Sequence, residues 1–300
     1  MDKFNCFDCT MKTPAISCET QRPERLAQII WHITNECHLN CAICFTRKMR
    51  QQPGALSKDC IINHVALCKQ LGVRKIDISG GEPLLYPDLP FLVDLCQENN
   101  IDVTITTSGL GNAKNIEWLS NNWGRFSRII LSLDGTEYIH NTLRNSPNAY
   151  PAFLKLYKKL SESKCTIIRI NTVVTQNLLL DSELKNMCEA IRHLAPKEWC
   201  LIEPYPINHT DQFQALSVTD EEYFSVVSKC RDLLALTNIS VEQRTNEDFS
   251  AYWALFCDGF LYYSENKNTY DVKIKFDFDN LVNIQDFVSK NSKRHIHVAD

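Results

Sequence analysis

Cys37, Cys41 and Cys44 stand in the run Cys-His-Leu-Asn-Cys-Ala-Ile-Cys, a C-x3-C-x2-C spacing followed directly by Phe45. Three thiolates on one short loop suit three corners of a cubane iron–sulfur cluster, which ordinarily takes four cysteine ligands. An iron without a protein ligand is an open coordination position, and open positions mark catalytic rather than structural metal sites. A zinc knuckle completed by His38 is the competing reading, since Cys3His sites are common. The chain of 300 residues carries 14 cysteines. With no secretion signal, such usage favours metal or catalytic chemistry over a disulfide scaffold. Most of the others, such as Cys68, Cys96, Cys188 and Cys230 on predicted helices, read as small core hydrophobes.

The elements that must position this loop alternate. Predicted strands lie at about 26–34, 75–79, 101–107, 128–133, 166–174 and 199–204. Helices at about 58–71, 87–98, 113–121, 149–163 and 181–194 separate them. Such alternation implies parallel strands joined by helical crossovers. The strands are rich in Ile and Val, as expected where both sheet faces are buried. Beyond residue 204 the alternation is expected to stop. Thr219-Asp220-Glu221-Glu222 has the residue types of a capped helix start for about 219–236. A strand at 239–243 and a helix around 247–255 are predicted next. Val272, Ile274, Phe276 and Phe278 alternate with polar residues, as in a half-buried strand of a hairpin with 259–263; a helix at about 281–290 follows.

Ligands of parallel α/β folds bind at the carboxyl ends of the strands. There the chain places Ser79-Gly80-Gly81-Glu82-Pro83, Thr106-Thr107-Ser108-Gly109, Leu131-Ser132-Leu133-Asp134-Gly135 and Ile170-Asn171-Thr172-Val173-Val174. His140 and Arg144 follow the third of these. Together with the three-cysteine loop, these segments resemble the radical S-adenosylmethionine (SAM) superfamily, in order and in placement, over most of residues 29–204. The resemblance implies an α/β fold, a partial (β/α)6 TIM-like barrel of parallel strands over 26–204. A Cys-containing segment would precede it at 1–25, and a small α+β extension with helix and hairpin would follow at 205–300.

It also implies a [4Fe-4S] cluster on Cys37, Cys41 and Cys44. The fourth iron would chelate SAM and cleave it reductively to a 5′-deoxyadenosyl radical that abstracts hydrogen from a substrate. Gly80, Gly81, Glu82 and Pro83 match the family's GGEP motif at the SAM amino group. Thr107 and Ser108 match its T-N-G segment, with Ser108 where Asn is usual. Ser132 and Asp134 match its S-L-D-G segment, and Arg144 its H-D-x-x-R stretch, although Asn141 replaces the acid. Asn171 and Val173 match N-x-V-V, with Val173 and Phe45 near adenine. A flavodoxin or ferredoxin would donate the electron.

The region from Cys257 through the hairpin resembles a degenerate SPASM or twitch extension. Two functional readings follow: Cys6, Cys9, Cys18 and Cys257 jointly ligate a second iron–sulfur cluster, or Cys257 donates a hydrogen atom to a substrate radical. A packed Cys257 is the alternative. About 25 residues before the first strand are too few for a leader-peptide module, so a small metabolite of sugar, nucleotide or amino-acid type is favoured over a peptide. Glu203, Tyr205, Tyr252 and Trp253 are candidates for the substrate pocket. A regulatory metal protein that lost turnover is the reading from another class. Charge is nearly balanced, 32 basic against 36 acidic residues, which gives no electrostatic argument for nucleic acid. No stretch is long and apolar enough to span a membrane, and a cytoplasmic location is expected.

Overall fold

The computed structural model describes residues 26–47, 50, 54–205, 211–249, 253–263 and 272–291. Cys6, Cys9, Cys18 and Tyr252 lie outside them. The elements run β1 (Gln28–His32), α1 (Lys58–Leu71), β2 (Lys75–Ser79), α2 (Leu89–Glu98), β3 (Asp102–Thr107), α3 (Ala113–Asn121) and β4 (Arg128–Ser132). Then come α4 (Glu137–Arg144), α5 (Ala149–Glu162), β5 (Ile168–Val173), α6 (Asp181–Leu194), β6 (Glu198–Ile202), α7 (Asp211–Leu216) and α8 (Asp220–Leu234). The chain ends β7 (Ser240–Arg244), α9 (Asn246–Phe249), β8 (Trp253–Phe256), β9 (Phe260–Tyr263), β10 (Val272–Lys275) and α10 (Leu281–Asn291).

Helix boundaries follow local chemistry. Ser57 caps α1 by accepting from the Cys60 amide, and Gly72, at φ 81°, ends it in the left-handed conformation. At α8 the expected cap is a full capping box: Thr219 Oγ1 accepts from Glu222 N, and the Glu222 carboxylate accepts from Thr219 N.

The sheet is one open layer in the order β10-β9-β8-β1-β2-β3-β4-β5-β6-β7. Strands β1 to β7 are parallel, β8 is parallel to β1, and β9 and β10 add antiparallel pairs at that edge. The architecture is α/β, a partial barrel left open between β7 and β10. Two expectations for the region beyond 204 are corrected. The alternation continues for one more unit, because α8 returns the chain to a parallel β7. Among the described residues of the expected 247–255 helix, only those within Asn246–Phe249 are helical; Trp253–Phe256 is an all-buried strand beside β1. Its apolar run has no helical periodicity, and burial on both faces decides for strand.

Both sheet faces are largely buried, as expected, but they differ in polarity. In register, Trp31, Ile78, Ile105 and Ile129 share one face. They join the helices in the main hydrophobic core. The other face carries Asp77, Thr104, Thr106, Arg169, Asn171 and Cys200, all but Thr106 buried. The period of two along each strand separates a helix-covered face from a polar lumen.

Candidate active site

The cluster loop is mounted by backbone contacts before any side chain acts. Ala42 N donates to Leu143 O on α4 (2.8 Å), and Arg47 caps the Asn40 and Cys41 carbonyls from one guanidinium nitrogen (2.8 Å each). The loop after β2 closes from the other side: Gly81 N donates to Thr34 O (2.6 Å) and Glu82 N to Glu36 O (2.7 Å). This close approach explains the glycine pair. Gly80 has φ +147°, and a Cβ there would stand 2.6 Å from Thr34 O; at Gly81 it would stand 2.0 Å from Glu36 O.

Glu82 then ties β2 to β3. Its buried carboxylate accepts from Leu84 N, Thr107 Oγ1, Ser108 N (2.9 Å) and Ser108 Oγ (2.6 Å). Ser108, the residue that departs from the family pattern, serves as a double donor. Pro83 opens a short 3-10 turn behind this staple and is not among the residues lining the cleft.

At the end of β4, Asp134 is almost wholly enclosed. Its Oδ2 accepts from Arg144 Nε (2.6 Å) and Nη2 (2.5 Å), and its Oδ1 from Val173 N (3.0 Å). The Asp134 amide donates to His140 Nδ1 (3.0 Å), so that nitrogen carries no proton and His140 is no salt-bridge partner. Burial, reinforced by Arg144, pulls the His140 ring down to about 4.

One cleft brings these parts together. It is lined by Cys37, Cys41, Cys44 and Phe45, by Gly80, Gly81 and Glu82, and by Thr107, Ser108, Ser132, Asp134, Arg144, Asn171 and Val173. Phe45 and Val173 pack with Ile202 and Tyr205 into an apolar patch on one wall. Sequence reasoning missed Asp77, Thr106, Arg244 and Arg50, which also line it. Their only signal was inward placement on a strand or proximity to the loop, which needs the register to read. Burial pushes the Asp77 carboxyl up, against the downward pull of Arg244 and of the Thr104 and Thr106 hydroxyls. Thr106 Oγ1 donates to Asp77 Oδ1 (3.2 Å). Burial likewise pushes Glu203 up although Asn246 N donates to it (2.7 Å). Tyr223, on α8, fixes this edge by donating to Leu201 O (2.9 Å) and accepting from Arg244 N (3.1 Å).

Of the substrate-pocket candidates, Glu203 and Tyr205 line the cleft. Trp253 does not: it packs against Tyr263 and Phe287 in the core, because its register with Ile29 turns it to the helix-covered face. Cys257 follows β8 and packs against the core, its Sγ 3.7 Å from where a Gly54 Cβ would stand and outside the lining residues. Burial raises its thiol to about 11.

The donor set fits a cluster better than a single ion. His38, the fourth ligand a zinc site would need, is exposed and does not line the cleft that Cys37, Cys41 and Cys44 share. Zinc would need four ligands at about 2.0–2.3 Å from one centre. The three thiols meet different surroundings. Cys37 accepts from Leu39 N (3.4 Å) and burial raises its pKa. Burial also raises Cys41, partly offset by Arg144. At Cys44 burial is outweighed by Arg50 and Thr46, and the thiol lies below its usual value.

Three cysteines lining a glycine-edged cleft at the carboxyl end of a partial barrel fit the site of a protein that holds a cluster and SAM. The profile of the Radical SAM superfamily matches residues 31–191, and the chain belongs to that superfamily. It is 31% identical over 141 residues to a probable GTP 3′,8-cyclase of Methanococcus maripaludis, covering 46% of this chain and 47% of that protein. It is 25% identical over 222 residues to an S-adenosylmethionine-dependent nucleotide dehydratase of Lacinutrix mariniflava, covering 70% and 45%. The chain thus spans about half the length of these relatives. Streptococcus suis SuiB bound to the precursor peptide SuiA shares the fold, with a TM-score of 0.65 at 18% identity, covering 89% of this chain and 68% of that one. Enzymes of that superfamily use a [4Fe-4S] cluster and SAM, and the three-cysteine loop and the cleft above it are where this chain would hold them. No helix among the described residues is long and apolar enough to cross a membrane.

Proposed function

We propose that the chain generates a radical on a small, polar, nucleotide-type metabolite bound in the lumen beside SAM. When bound, cluster and SAM supply a reductive S–C5′ cleavage that yields the 5′-deoxyadenosyl radical. Cys37, Cys41 and Cys44 hold the cluster. The backbone of Gly80 and Gly81 and the wall at Ser132 and Asn171 bound the methionine and ribose side of the cleft, and the patch of Phe45, Val173 and Ile202 offers an apolar face for adenine. The Glu82 carboxylate, accepting from Leu84 N, Thr107 Oγ1 and Ser108, holds the β2 and β3 loops in register at the edge of the cleft. A one-electron donor of the flavodoxin or ferredoxin class feeds the cluster.

The observation that carries the reading is the continuity of this cleft with Asp77, Thr106, Glu203, Tyr205 and Arg244. Two carboxyls raised by burial beside a guanidinium offer both acceptors and donors to one ligand. That suits a base or sugar with mixed hydrogen-bonding edges. Two relatives whose names specify nucleotide chemistry support the same substrate class. SuiB, solved with its precursor peptide, makes a peptide the competing substrate.

The test is anaerobic reconstitution with iron and sulfide, then assay of 5′-deoxyadenosine with SAM and dithionite. Nucleotides and short peptides are added in parallel. The expected result is 5′-deoxyadenosine in every case and at least a tenfold rise with a nucleotide. Absence of 5′-deoxyadenosine under all conditions would favour a regulatory protein, and stimulation by peptides alone would overturn the substrate class.

A further inference from the structure

The three ligand sulfurs do not meet the same charge. Cys37 receives a backbone amide, Cys44 receives Arg50 Nη2 (3.1 Å) and the Thr46 hydroxyl (3.4 Å), and Cys41 faces Arg144 Nη1 (3.8 Å). Arg144 has little freedom to leave. Two of its nitrogens hold Asp134 Oδ2, Asp134 is itself anchored to Val173 N, and the neighbouring Leu143 carbonyl receives Ala42 N from the cluster loop. The last turn of α4 therefore carries both the loop and the cation. With Nε and Nη2 spent on Asp134, the remaining terminal nitrogen points at the Cys41 sulfur.

We propose that Arg144 is a positioning residue of the cluster rather than a carboxylate ligand of SAM: clamped by Asp134, it directs positive charge at Cys41 and makes the cluster easier to reduce. This rests on the reading of the three-cysteine loop as a cluster site. Reduction adds one electron to the cluster, from dithionite in the test, and no bond forms or breaks. The added negative charge is stabilised by a cation hydrogen-bonded to a ligand sulfur, which raises the potential. The ion pair as a whole is neutral, so the orientation of its dipole matters. Guanidinium in front and carboxylate behind give the two substitutions opposite signs.

The experiment is a redox titration, followed by electron paramagnetic resonance without SAM, of the full chain reconstituted anaerobically. Iron and sulfide are counted first. A wild-type chain that takes up no iron overturns the premise before any potential is measured. Arg144→Gln leaves the carboxylate facing the sulfur and is expected to lower the reduced-to-oxidised ratio at fixed potential about tenfold, which is ~59 mV for one electron. Asp134→Asn keeps the cation and is expected to shift the ratio the other way, while Arg144→Lys shifts it less than Arg144→Gln. Should Arg144→Gln fail to retain iron, the Asp134→Asn sign decides alone. Unchanged potentials, or shifts of the same sign in both variants, would overturn the proposal. So would weakened SAM binding by calorimetry in Arg144→Gln with the potential intact, which would make Arg144 a ligand of the SAM carboxylate instead.

Discussion

The two faces of the one sheet carry different kinds of residue and serve different ends. One face is an apolar floor for helices: Trp31, Ile76, Ile78, Ile105, Leu131, Ile170 and Trp199 are fully buried there. The other lines a lumen with Asp77, Thr106, Asn171 and Arg169, the last bonded through Nε to Asn171 Oδ1 (2.9 Å). Neighbouring residues on one strand thus serve different ends, one stability and the next chemistry. Because side chains alternate strictly along a strand, a shift of one residue in register would exchange the two roles.

The comparison is broken most strongly at Trp199. Its ring is fully buried, and its Nε1 donates to Thr172 Oγ1 (2.8 Å), so truncation leaves a cavity and removes one of the two hydrogen bonds of that hydroxyl, which still donates to Leu133 O. Trp199→Ala is expected to cost about 3–5 kcal/mol in urea unfolding. A loss below about 1 kcal/mol would mean that the floor is not where the stability resides.

A second effect sits at the rim where both faces end. His140 is held neutral, with a folded pKa of about 4 against 6.5 in the unfolded chain. Between those values the unfolded chain binds more protons, so stability rises with pH through this window and is lost as pH falls towards 4. The difference corresponds to on the order of 3 kcal/mol. His32 and His64, also lowered by burial, to about 3 and about 4, add slopes of the same sign. His140→Gln should therefore lose less stability than wild type between pH 7 and pH 4.5. Equal losses would show that His140 titrates normally.

The smallest effect on stability is expected on the lumen face. Asp77→Asn keeps the acceptor for Thr106 and removes a carboxyl already disfavoured by burial, so unfolding should change by less than about 1 kcal/mol. Iron content and SAM affinity should hold while substrate-stimulated 5′-deoxyadenosine falls. A large loss of stability would instead make Asp77 part of the scaffold.

Much of the site was legible because its chemistry is local. The cysteine spacing, the glycine pair and Asp134 with Arg144 ten residues later are each contained in a short segment. Helices Lys58–Leu71, Ala113–Asn121 and Asp181–Leu194 match the sequence reading residue for residue, since caps and 3.6-residue periodicity act within a turn or two. Trp253–Phe256 was misread because four apolar residues carry no period, and only pairing with β1 makes them a strand. Arg50 and Arg244 went unnoticed because neither belongs to a motif: Arg50 reaches the site through Cys44, six residues away, and Arg244 is fixed by Tyr223 on α8.

By itself the sequence determined the three-cysteine loop, the alternation of strand and helix, and the order of the segments that line the cleft. Those depend on neighbours along the chain. Only the tertiary structure decided which strand residues face the lumen and that strands from beyond residue 204 complete both sheet edges. It also decided that Glu82 staples two loops while Arg144 looks toward a sulfur. Each of these depends on register and on pairings across tens of residues, where loop closure and the burial of one face choose among arrangements that local preference leaves equal.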